Sequence, residues 1–173
     1  MPGKSIVYPV PYWTNQDIVL YHGTLDKYVA AIKAGICVSL GKRFTDFGPG
    51  FYTTTWLRQA KMWAAEIAAT TPHDKPAVVR ITIRREKLAR LDTLAFVRGD
   101  FDAKHFWSFV HSCRKGAKDH RRLGPSPFYD VVYGPVASFW NQRLIIANAD
   151  QLSFHTNAAE LVLNDPSTKK DKV

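Results

Sequence analysis

From Ala77 to Arg84 the chain alternates Val79, Ile81 and Ile83 with Arg80, Thr82 and Arg84. Successive strand side chains point to opposite faces, so a period of two marks a half-buried strand. The runs Asp17–Tyr21, Phe51–Thr55, Leu91–Phe96, Tyr129–Tyr133 and Leu152–Phe154 are short, aromatic or β-branched, and also read as strands. Helical spacing appears between them. Leu25, Tyr28, Val29 and Ile32 fit a helix over Leu25–Ala34, with Thr24 or Asp26 able to cap it and Gly35 to close it. Trp56–Ala69 is alanine-rich and nearly free of breakers, Phe101–Cys113 gathers Phe106, Trp107, Phe109 and Val110, and Asn157 starts a last helix to Leu163. Leu144–Ala147 fits a short helix or strand. Strands and helices do not alternate in regular βαβ order, so the expected class is α+β.

Domain organisation follows from length and composition. At 173 residues, 46% hydrophobic and 13% aromatic, the chain suits one domain with a sizeable core. Residues 1–165 are expected to form it, with 1–16 as an extended lead-in rich in proline and aromatics, and 166–173 as a polar, disordered tail. Lys and Arg total 24 against 15 Asp and Glu, a net charge of +9. That balance favours a polyanion as partner, although many soluble proteins are basic without one. The most basic stretch, Arg114–Arg122, reads as a loop and is the candidate for docking an acidic target. Met1-Pro2-Gly3-Lys4 is not followed by the apolar run of a signal peptide, and no segment has the ~20 apolar residues of a membrane span. A cytoplasmic setting is therefore expected, with no membrane association.

Several chemistries are excluded. No phosphate-binding loop ends in Lys-Ser/Thr, and no Gly-x-Gly-x-x-Gly lies between a strand and a helix. Cys37 and Cys113 have no metal spacing, so no metal site is expected. His105, His111 and His120 read as surface or aromatic-packing residues, and His155 as structural. Two segments remain: Leu20-Tyr21-His22-Gly23-Thr24 and Gly48-Pro49-Gly50-Phe51-Tyr52-Thr53. In each an apolar or β-branched run meets glycine, beside which a ligand can approach the backbone. His22 and Tyr52 can then form two walls of a nucleotide pocket. Each also has a plainer reading, His22 as a satisfied turn histidine and Tyr52 and Trp63 as core aromatics.

These segments resemble the ADP-ribosyltransferase superfamily, in its diphtheria-toxin and poly(ADP-ribose) polymerase branch with motif positions His, Tyr and Glu. More closely, the chain is similar to a bacterial family of small ADP-ribosyltransferase-like domains. The similarity rests on Asp46-Phe47-Gly48-Pro49-Gly50-Phe51-Tyr52, Gln59-Ala60-Lys61-Met62-Trp63-Ala64, Tyr129-Asp130-Val131-Val132-Tyr133-Gly134-Pro135 and Gln151-Leu152-Ser153-Phe154-His155-Thr156. The resemblance implies a split antiparallel sheet flanked by helices and a mono-ADP-ribosyltransferase that uses NAD as co-substrate without a metal. It implies that Gly23 grips the nicotinamide carboxamide through its backbone and that His22 bonds a ribose hydroxyl. Tyr52 and Trp63 would stack on the nicotinamide, Thr24 and Phe51 would line the cofactor site, and Arg43 is a candidate for the pyrophosphate. Gln151 stands where that branch has glutamate. It can position the ribose but brings no charge to the oxocarbenium-like state. His22, Tyr52 and Gln151 are expected to converge on one hollow. The acceptor would be a protein or nucleic acid, and a toxin or effector role would imply an antitoxin or immunity partner. A non-catalytic NAD or ADP-ribose module and a basic nucleic-acid-binding protein are the alternatives.

Overall fold

The computed structural model describes residues 16–41, 44–97 and 104–173. The lead-in, apart from Gln16, and the first residues of the expected Phe101–Cys113 helix lie outside them. Within them the chain is a mixed α+β fold with two sheets and five α-helices. The first sheet has the order β1 (Ile18–Leu25), β3 (Pro76–Ile83), β7 (Lys169–Lys172), all antiparallel. Val79, Ile81 and Ile83 are fully buried on one face of the central strand, as the alternation requires. Val78 is buried too, because the helix α2 (Leu57–Ala69) covers the other face there with Ala60 and Ala64.

The expectation of a disordered tail is corrected by β7. Lys169 to Lys172 pair with Thr82 to Val79, and Val173 N–H donates to Val78 C=O at 3.0 Å. Arg80 and Asp171 pair at 3.0 Å, and Lys172 reaches Asp26 at 2.7 Å. The backbone supplies the order while the side chains stay polar. Polarity alone made an edge strand look like a tail, although lysine-rich edges are a common guard against further strand pairing.

The second sheet has the order β2 (Phe51–Thr53), β6 (Asp150–Phe154), β5 (Val131–Pro135), β4 (Thr93–Ala95), antiparallel except for the parallel β4–β5 pair. One core, around Leu20, Val79, Ile81 and Phe154, joins the two sheets with α1 (Asp26–Ala34) and α5 (Asn157–Leu163). A second, around Phe47, Phe106, Val110 and Val132, lies under α4 (Lys104–Arg114). Helix ends partly depart from expectation. Neither Thr24 nor Asp26 caps α1: Leu25 is the cap residue, with no side-chain bond, and Gly35 is extended. At α5 the Thr156 hydroxyl accepts from Ala159 N–H at 3.2 Å. The remaining helix, α3 (Arg85–Leu88), is a single short turn after β3.

The sheets touch edge to edge at one place. Tyr21 N–H donates to Thr54 C=O at 2.8 Å and Thr54 N–H to Tyr21 C=O at 2.9 Å. Beyond that bridge β1 and β2 separate.

Candidate functional site

An antiparallel strand turns its N–H and C=O groups alternately to one neighbour and the other. Tyr21 spends both on Thr54, so Gly23, two residues on, faces away from β3 on the same edge. Its N–H and C=O meet no partner among the described residues. By the same register Tyr52 would lie opposite Gly23, yet its carbonyl is taken by His22 Nδ1 at 2.7 Å. A carbonyl only accepts, so Nδ1 carries the proton and the neutral ring keeps Nε2 as an acceptor. The ring stacks on Phe51 with centroids 4.3 Å apart, and burial lowers its pKa below the usual 6.5. His22 thus holds the split open and is fixed in one tautomer.

Gly23 is required here for a reason other than ligand approach. A Cβ would meet Ala60 C=O at 2.3 Å, because α2 lies directly against the strand. On the same helix Gln59 Nε2 donates to Asp150 C=O at 2.8 Å, and its Oε1 accepts from Asp150 N–H at 3.1 Å. That contact turns the Gln59 flank of α2 toward the second sheet. Trp63, one turn further along the flank, is half exposed. Thr24 is buried beyond Gly23. Arg43 lies outside the described residues.

The expected convergence of three side chains is corrected. The Tyr52 hydroxyl donates to Gly48 C=O at 2.6 Å and accepts from Phe47 N–H at 3.1 Å, with its ring packed beside the second core. Burial pushes its pKa well above the usual phenol range. Gln151 Nε2 donates to Asp46 Oδ2 at 2.7 Å and to Pro135 C=O at 3.0 Å. Tyr52 and Gln151 therefore both serve the Asp46–Gly48 turn. The imidazole of His22 lies against Phe51, whose side chain leaves β2 on the other face. The structure joins His22 to Tyr52 through a backbone carbonyl and leaves Gln151 in a separate network.

That network centres on buried Asp46, which the motif reading used only as a landmark. It also accepts from Arg114 Nε at 2.9 Å and Nη2 at 2.6 Å, and from Ala137 N–H at 2.8 Å. Asp150, passed over because it did not align with the glutamate, ties β6 to the bridge. Its Oδ1 accepts from Thr54 Oγ1 at 2.6 Å and from Thr55 N–H at 2.9 Å. The only advance signal for either was an acid beside a conspicuous motif.

Two histidines, His120 read as a surface or packing residue and His155 as structural, lock the turn before β2. His120 Nε2 donates to Phe47 C=O at 3.0 Å while its Nδ1 accepts from Tyr129 N–H at 3.1 Å. His155 Nδ1 donates to Pro49 C=O at 2.8 Å, and its Nε2 accepts from Ser153 Oγ at 2.7 Å. Burial brings their pKa values down to about 4 and about 3.

Fold and site together define an α+β domain in which two sheets share one bridge and then leave a strand edge unpaired at a buried glycine. A family model described as a protein of unknown function (DUF3990) matches residues 18–161, and the chain belongs to that family. No curated protein and no solved structure gives a significant match. No helix among the described residues is long and apolar enough to cross a membrane.

Proposed function

We propose that this chain is an NAD-binding domain of the ADP-ribosyltransferase type that transfers ADP-ribose to a protein or nucleic-acid acceptor. The observation that carries the reading is the unpaired edge at Gly23. A primary carboxamide offers one N–H₂ donor and one C=O acceptor, and the edge offers the complementary C=O and N–H. His22 Nε2 is an acceptor suited to a ribose hydroxyl, and Trp63 supplies a half-exposed aromatic face on the adjoining helix flank. In the transfer, the bond between ribose C1′ and the nicotinamide nitrogen breaks with its electron pair leaving on nicotinamide. The acceptor nucleophile bonds C1′ and releases a proton.

The carboxylate at the bridge is engaged, and its neighbour carries no charge. Asp150 is held by Thr54 and Thr55, and Gln151 is neutral and tied to Asp46. With the Asp150 carboxylate engaged and Gln151 uncharged, the described residues at the bridge offer no free carboxylate to favour the oxocarbenium-like state, and turnover is expected to be slow. The same observation favours the second reading, a module that binds NAD or ADP-ribose without cleaving it.

Incubation with NAD carrying label on the adenylate, in the presence of cell extract, tests the proposal. Labelled macromolecular product with free nicotinamide supports transfer. Calorimetric NAD binding with the dinucleotide left intact supports the binding module, and absence of both overturns the two readings.

A further inference from the structure

On the other side of the Asp46–Gly48 turn is a cleft of about 360 Å³ between α4 and the chain after it. Phe96, Phe109 and Tyr129 supply aromatic surface, and neither His22, Gly23 nor Trp63 lines it. His105, Ser108 and Ser112 follow one another along the α4 face that borders the cleft, placing polar groups along one wall. Asp119 and Arg121 stand on the facing segment. Arg121 adopts a left-handed backbone, with φ 49°, and its N–H is bonded to Asp119 Oδ1 at 2.9 Å.

Charge decides what such a cleft would take. Arg114 is paired with Asp46, and Arg122 with Asp92. Lys115, Lys118 and Arg121 are exposed and have no ion-pair partner among the described residues. Arg121 lines the cleft and Lys118 precedes Asp119 at its rim, so cations outnumber the one lining carboxylate, which suits phosphate. Aromatic walls with hydrogen-bonding groups beside them suit a nucleobase. Both features occur together where proteins hold single strands by stacking and backbone charge.

We infer that the cleft binds one unstacked base of a single-stranded nucleic acid, with the strand's phosphates on Lys118 and Arg121. The inference does not depend on NAD binding at Gly23. If that site fails, this one is still testable by itself.

A single-stranded DNA octamer containing one 2-aminopurine is the probe, titrated at low salt. Binding is expected to quench the 2-aminopurine, as insertion against aromatic rings does. Ser108→Trp, at an exposed helix position, should fill the cleft, weaken binding about tenfold and remove the quench. Arg121→Gly, which suits the left-handed backbone, should weaken binding and lower the salt slope by about 0.7. The thermal melt of Arg121→Gly should be unchanged or higher, so this variant decides the matter should Ser108→Trp misfold. Failure of the octamer to bind overturns the inference, as does binding without quench that neither variant changes. Displacement by AMP or an acidic peptide as effectively as by unlabelled octamer assigns the cleft to another ligand and also overturns it.

Discussion

His22 donates its Nδ1 proton to the backbone carbonyl of Tyr52 at 2.7 Å, in the register where β1 would otherwise pair with β2. One side chain therefore replaces a ladder bond and leaves Gly23 facing a split. Removing it should do two things. His22→Ala strands a partly buried carbonyl, which costs about 1–3 kcal/mol of stability in urea unfolding. It also removes the Nε2 acceptor, so NAD affinity should fall by about tenfold in calorimetry, corresponding to one lost hydrogen bond. Unchanged affinity in a folded variant would remove His22 from the site.

Gly23→Ala separates packing from recognition. The added methyl meets Ala60 C=O at 2.3 Å, so strand and helix must part. Overpacking of this kind costs about 1–3 kcal/mol, and a shift in the urea midpoint checks it. A variant as stable as the parent would contradict the close approach of α2.

Gln151→Glu distinguishes the motif-based role from the observed contacts. A glutamate facing the ribose would speed nicotinamide release. The structure instead sets a carboxylate where Gln151 Nε2 now donates to Asp46 at 2.7 Å. Two carboxylates at that distance repel, and the one less well served by hydrogen bonds takes up a proton. The expected outcome is a loss of about 3 kcal/mol near neutral pH, reduced on acidification, with no gain in turnover. Faster nicotinamide release would restore Gln151 to the ribose.

The two buried histidines give the acid response a sign. An unfolded histidine titrates near 6.5, whereas burial holds His120 down to about 4 and His155 down to about 3. Below 6.5 the unfolded chain takes up protons that the folded one refuses, so stability is full above that pH and falls as pH drops. Each ring contributes up to about 1.4 kcal/mol per pH unit. Their centroids are 4.6 Å apart, so charging one opposes charging the other. Urea midpoints measured between about pH 7 and pH 4.5 should fall steadily, and His120→Gln should flatten the curve if it folds. A flat parental curve would contradict neutral burial.

Local pattern made the strands and helices readable. The alternation at Val79, Ile81 and Ile83 marked a buried strand face, and the alanines of Trp56–Ala69 marked the helix that presses on Gly23. Long-range polar links were not readable. Asp46 meets Arg114, Ala137 and Gln151 from three distant parts of the chain, and no spacing rule announces such a meeting. Nor does a motif say which face of a strand its side chain leaves from, and that is why Tyr52 and Gln151 were expected beside His22. The tail was misread because side-chain polarity hides backbone pairing.

The edge at Gly23 can be observed directly. In an amide-resolved NMR titration with nicotinamide and then NAD, the Gly23 N–H resonance should shift most, with smaller changes at His22 and at the Trp63 indole. Benzoate, which lacks the N–H₂ donor, should produce little change. A Gly23 resonance that stays fixed while NAD binds elsewhere, or a response to benzoate equal to that to nicotinamide, would contradict carboxamide recognition at the split.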